Sequence, residues 1–107
     1  MKLRYTNGRM STEFEGNQVE VFAELAMFQE IFEESSCGKC GSENLRYVVR
    51  ENDGNKYHEL HCKKCHAKLA FGQHKKNDTL FPKRKEGSDY LPDGGWLRWD
   101  RDAGKAV

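Results

Sequence analysis

Apolar positions along this chain change their spacing as it proceeds, and each spacing predicts a different element. Leu3 and Tyr5, then Met10, Thr12 and Phe14, fall on one side at a period of two, the signature of strands with one covered face. Asn7-Gly8 between the two runs predicts a type I′ hairpin turn, which needs positive φ at both central residues. Over residues 18–34 the spacing becomes helical. Val21, Leu25, Phe28 and Phe32 form a stripe that Phe22, Ala26 and Ile31 widen, with Glu24, Glu30, Glu33 and Glu34 off it. Asn17 with Glu20 three residues on predicts a capping box at the helix start. Alternation then returns. Residues 45–51 read as a strand in which Leu45, Tyr47 and Val49 share a face. Asn52-Asp53-Gly54-Asn55 reads as a turn, and strands over 56–62 and 67–73 follow, with Leu69 and Phe71 on the face of Leu45. From residue 74 the chain turns polar, and Pro82 and Pro92 forbid a regular helix. The segment 94–99, ending in Trp96-Leu97-Arg98-Trp99, is the last able to order itself; residues 100–107 read as a frayed tail.

This pattern contains little core. Of 107 residues, 36% are hydrophobic and 33% charged, and a domain so small and polar needs a staple. Cys37-Gly-Lys-Cys40 and Cys62-Lys-Lys-Cys65 supply one, and the chain has no other cysteine. Two thiols spaced C-x-x-C reach one ion from a single tight turn. Two such turns give four sulfur donors, the closed tetrahedral set that suits zinc. The 21 residues between the pairs exceed the usual interval of about 15–20, and a longer hairpin absorbs the difference. Disulfides and redox chemistry are the rival uses. Met1-Lys2-Leu3-Arg4-Tyr5 runs straight into polar sequence without an export signal, so a reducing cytoplasm is expected, which favours thiolates and metal. A redox site uses one C-x-x-C pair rather than two. One structural zinc on Cys37, Cys40, Cys62 and Cys65 is therefore expected. Lys39, Lys63 and Lys64 inside the motifs would offset the charge of four thiolates. His58, His61, His66 and His74 read as surface residues, and four cysteines leave no open position for hydrolytic zinc chemistry.

Knuckle, strand, turn, strand, knuckle, strand is the pattern of a zinc ribbon, which residues 37–73 resemble. Gly41 meets the family's preference for glycine after the second cysteine of a knuckle; His66 departs from it in the second. The resemblance implies a three-stranded antiparallel sheet with two C-x-x-C knuckles, and mostly nucleic-acid or protein binding. The complete chain also looks like small zinc-ribbon proteins common in phage genomes, on the helix feeding Cys37, Phe71-Gly72-Gln73-His74, Phe81-Pro82-Lys83-Arg84 and Gly95-Trp96. That likeness implies a host-cytoplasm setting. The expected fold is thus small α+β: a hairpin and one amphipathic helix over 1–36 packed on the ribbon at 37–73, a basic and aromatic extension at 74–99, and the tail. Cys62-Lys-Lys-Cys65-His66-Ala-Lys68 is also similar to the second cysteine pair of HNH nucleases. Those enzymes carry Asp-His and then proline between their pairs; this interval has neither, so nuclease activity is disfavoured. No Ser-His-Asp order, P-loop or dinucleotide fingerprint is present.

Charge then separates the remaining readings. The net charge is only +1, but residues 11–36 hold seven Glu and no Lys or Arg, while residues 37–86 hold twelve Lys or Arg against six Asp or Glu. A basic module beside an acidic segment points to a polyanion. Arg46, Arg50, Lys56, Lys63, Lys64, Lys68, Lys75, Lys76, Lys83, Arg84 and Lys85 are the candidate phosphate contacts. Phe81, Trp96 and Trp99, with Tyr47, Tyr57 and Phe71, are candidate stacking rings, although Tyr47, Phe71 or either Trp would serve equally as core. The expectation is a non-catalytic nucleic-acid-binding protein, acting on single-stranded DNA or RNA in phage replication or recombination. The alternative is a protein-interaction module, or a phage regulator of a host or phage enzyme, using the acidic helix flank or Trp96/Trp99, as a monomer or homodimer. No apolar run approaches the roughly 20 residues of a membrane span.

Overall fold

In a computed structural model, which describes residues 1–75 and 79–107, the chain divides into two units, Met1–Glu33 and Glu34–Val107. The fold is small α+β, with one α-helix among the described residues and several antiparallel sheets.

In the first unit, strands β1 (Lys2–Asn7) and β2 (Met10–Glu15) pair as a hairpin. Leu3 faces Phe14 and Tyr5 faces Thr12, and these four are half-buried while their neighbours along the strands are exposed. The turn lies one residue later than predicted. Asn7 pairs with Met10, so the loop is Gly8-Arg9, and of these two only Gly8 has positive φ, at 58°. This register sets Leu3 against Phe14 and lets Met1 and Gly16 exchange two backbone hydrogen bonds beyond the strand ends. A loop centred on Asn7-Gly8 would set Phe14 opposite Met1, at the end of the chain, instead of opposite Leu3.

Helix α1 (Gln18–Phe32) begins with the predicted capping box. Asn17 Oδ1 accepts from the Glu20 amide at 2.9 Å, and Glu20 Oε1 accepts from the Asn17 amide at 3.1 Å. Phe28 meets Tyr5 and Phe14 edge-on, with centroids 5.9 and 6.0 Å apart, and lies 5.0 Å from Phe32. The Tyr5 hydroxyl donates to Glu33 and accepts from Gln29 Nε2. Val21 and Ile31 are buried. Phe22 and Ala26, expected to widen the stripe, are exposed instead. A narrow two-stranded hairpin reaches only the side of the helix that carries Phe28.

In the second unit, β3 (Leu45–Asn52), β4 (Asn55–Cys62) and β5 (Lys68–Gln73) form an antiparallel meander. Asn52 pairs with Asn55 across Asp53-Gly54, whose φ values of 52° and 78° are those of a type I′ loop. The sheet has four strands where three were expected: β6 (Leu80–Pro82) pairs with the outer edge of β5. Phe81 stands opposite Gly72, and its ring occupies the space a Cβ there would need. An aromatic laid over a strand glycine pins register, and Pro82 is tolerated on an edge strand. The same edge of β5 is completed by Lys83, whose amide donates to Ala70, and by Leu97, which exchanges two backbone hydrogen bonds with Lys68.

Leu60, Cys62, Leu69 and Phe71 lie on one face of this sheet and are buried. Tyr47 and Val49 share that face but are exposed, since β3 is the opposite edge. Two further hairpins follow. Strands β7 (Lys85–Glu86) and β8 (Asp89–Tyr90) turn at Gly87, and β9 (Trp99–Asp100) pairs with β10 (Lys105–Ala106). The latter occupies the region read as a frayed tail. Asp100 Oδ1 accepts from the amides of Asp102 and Ala103, and Gly104 takes the positive φ the turn requires.

Candidate metal centre and open sheet face

The two C-x-x-C segments adopt the same local structure. In the first, the Cys37 amide donates to Ser42 O and the Gly41 amide to Cys37 O. In the second, the Cys62 amide donates to Ala67 O and the His66 amide to Cys62 O. Gly41 and His66 are therefore equivalent, and both have left-handed backbone, φ 75° and 66°. His66 accepts this conformation at some cost, as a side chain not branched at Cβ can. The Lys39 amide points at Cys37 Sγ (3.3 Å) and the Cys65 amide at Cys62 Sγ (3.5 Å). The amide of Lys63 donates to Asn44 O, tying the second knuckle to the end of the first.

Leu45 lies opposite Cys62, so the meander brings the knuckles together. The four Sγ atoms fall within 4.8 Å of one another, with Cys37–Cys65 and Cys40–Cys62 at 3.6 Å. A disulfide requires about 2.05 Å. A tetrahedron of sulfurs about 2.3 Å from zinc has edges of about 3.8 Å. The four-cysteine cluster is consistent with a zinc-binding site. Burial pushes the Cys37 thiol up to about 11 against the amides of Cys40 and Lys39. Burial acts on Cys62 in the same direction, but the amides of Cys65 and Lys64 and the thiols of Cys40 and Cys65 outweigh it and bring Cys62 down to about 6. Thiols must lose their protons to bind a cation, so binding at this cluster would release protons.

The segment after β8 braces the first knuckle. Lys39 Nζ pairs with Asp93 at 2.6 Å, and a Cβ on Gly38 would stand 2.5 Å from both Asp93 O and Trp96 Cδ1. Trp96 is 1% exposed, and its Nε1–H has no hydrogen-bond partner among the described residues. Arg84 holds the same segment, donating to Gly94 O and to Glu34 at 2.7 Å each. Neither the Lys39–Asp93 pair nor the Arg84–Glu34 pair had a sequence signal: their members stand 54 and 50 residues apart.

Opposite the face of Leu60 and Leu69, the sheet presents Arg46, His61 and Lys68 in one cross-strand row. Arg50 pairs with Tyr57 farther along, its guanidinium 4.8 Å from the ring centroid. Glu59 sits between the two rows, buried, accepting from Arg50 Nε and Nη2 (3.3 and 3.2 Å) and lying 2.9 Å from His61 Nε2. Burial raises its carboxyl, but the hydrogen bonds from Arg50 and His61, with the charges of Arg50 and Lys68, hold it below the ordinary range. Phe81 completes this face, half-buried over Gly72 with the His74 ring 4.6 Å away.

The remaining candidates scatter. Lys63, Lys64, Lys75 and Lys83 are exposed outside the strands of this sheet; Lys56 lies opposite Glu51 at the hairpin tip, and Trp99 is exposed at the C-terminal hairpin. Lys85 lies over the Tyr90 ring at 4.5 Å. Lys76 lies outside the described residues. Trp96 requires correction as a stacking ring, because its burial removes it from any ligand, and Arg84 is occupied by Glu34. Comparisons with family models, with curated proteins and with solved structures find no match to this chain.

Proposed function

We propose that the knuckles and meander are a zinc ribbon holding one structural Zn2+, and that the chain is a non-catalytic protein binding single-stranded DNA or RNA. The observation that carries this reading is the open sheet face. Its Arg46–His61–Lys68 row, with Tyr57 and Phe81 at the other end, combines cations for phosphate with rings for unpaired bases. The opposite face is spent on the core, so a ligand has one side of the sheet to use. Four thiolates leave the ion no open position, which supports a structural role for it. In keeping with the likeness to small phage zinc-ribbon proteins, phage replication or recombination in the host cytoplasm is the proposed setting.

The test is fluorescence anisotropy with labelled single-stranded DNA, single-stranded RNA and duplex DNA at about 50 and 200 mM salt. Single strands should bind, with affinity falling as salt rises by a log–log slope of about −0.7 per neutralised phosphate. Arg46→Glu with Lys68→Glu should weaken binding by about tenfold or more at unchanged zinc content. No binding at low salt, or a double variant that binds as wild type does, defeats the reading.

A further inference from the structure

Helix α1 carries apolar residues on two sides. One side holds Phe28, which meets the hairpin. The other holds Val19, Phe22, Ala23 and Ala26, at the i, i+3, i+4, i+7 spacing of one helix face. Val19 and Phe28 stand nine residues apart, about 180° around the helix. Val19 is 79% exposed and Phe22 77%, and both alanines are exposed. A phenylalanine and a valine so exposed, with two small residues beside them, form a shallow seat that another helix can approach closely.

The charges around this seat indicate its occupant. Glu20 and Glu24 line one border, Glu30 closes the C-terminal end, and residues 11–36 contain no Lys or Arg. A second copy docking through the same face would set glutamates against glutamates. An anionic lipid surface would be repelled likewise. A helix with an apolar stripe bordered by Lys or Arg matches both the shape and the field.

We propose that the Val19–Phe22–Ala23–Ala26 face binds a basic amphipathic helix of a partner protein. This surface is independent of the sheet face proposed for nucleic acid. The test is an amide NMR titration of the full-length zinc-loaded chain. The probe is a synthetic 15-residue peptide with leucines along one helical face and lysines and arginines along its borders; a scrambled peptide of the same composition is the control. Saturable shifts centred on Val19, Phe22, Ala23 and Ala26 are expected. Phe22→Ser, at an exposed position, should weaken binding about tenfold, whereas Arg46→Glu with Lys68→Glu should leave it unchanged, separating this surface from the other. Equal shifts with the scrambled peptide, or indifference to Phe22→Ser, overturn the proposal. So does a homodimer in sedimentation that Phe22→Ser dissociates, because the occupant is then a second copy.

Discussion

His66 and Gly41 occupy one backbone position in two copies of the same knuckle, so they measure the cost of a side chain there. A Cβ on Gly41 would meet nothing within 4 Å, so Gly41→Ala is penalised by its left-handed φ alone, about 1 kcal/mol. His66→Gly should give the reverse, a gain of about 0.5–1 kcal/mol after the extra entropy of glycine in the unfolded chain. Denaturant midpoints of the two zinc-loaded variants test this; shifts of the same sign would refute it. Glu59 makes a second prediction. Its native carboxyl is held low, so the unfolded chain takes up its proton first as pH falls. The stabilisation is complete above the ordinary carboxylate value of about 4.3 and is lost as pH drops through the lower native value. Wild type should therefore exceed Glu59→Gln in denaturant midpoint above about pH 5, with the gap closing below about pH 4; a gap independent of pH contradicts the depressed carboxyl. The sequence named the four thiols, because C-x-x-C is a local geometry. It did not single out Glu59, since a glutamate on a strand is as a rule exposed; His61 stands two residues on along the same strand, but Arg50 reaches it only through the pairing of β3 with β4.

At the scale of elements, legibility followed the range of the interactions. The Asn17–Glu20 box, the Leu3–Tyr5 alternation and the Asp53-Gly54 loop each depend on residues a few positions apart, and each stands as read. The first hairpin turn moved by one residue, to a register that sets Leu3 opposite Phe14 and closes the strand ends with the Met1–Gly16 hydrogen bonds. Strand β6 was missed because three residues ending in proline carry no periodicity; its pairing is specified by Phe81 over Gly72. Phe81→Ala uncovers that glycine and removes a half-buried ring, and should cost about 1–2 kcal/mol, with faster amide exchange confined to β5 and β6. Exchange unchanged at β5 would show that Lys83 and Leu97 hold that edge without the ring.

For the whole molecule, the quantity at stake is a small core. Among the described residues, Leu60, Leu69, Cys62 and Trp96 are the largest fully buried side chains, one of them a ligand candidate and another lying against the first knuckle. A structural zinc held by four thiolates would contribute about 10–16 kcal/mol at neutral pH, the magnitude for zinc-finger peptides, as much as the total stability of an ordinary domain. Chelation should accordingly unfold residues 34–107, shift tryptophan emission to the red as Trp96 becomes wet, and be reversed by added zinc. Trp99, already 64% exposed, contributes little to the change. Emission that stays put in strong chelator would remove the metal from this account.

The sequence by itself determined the thiol set, the strand parities, the helix cap and the segregation of charge, because each is written in near neighbours or in simple sums of charge. Only the tertiary structure decided that Trp96 is core rather than platform, that Arg84 is bound to Glu34, that Lys39 is clasped by Asp93, and that Arg46, His61 and Lys68 share a row. Those outcomes depend on where the chain returns after tens of residues, and no local preference encodes a return path.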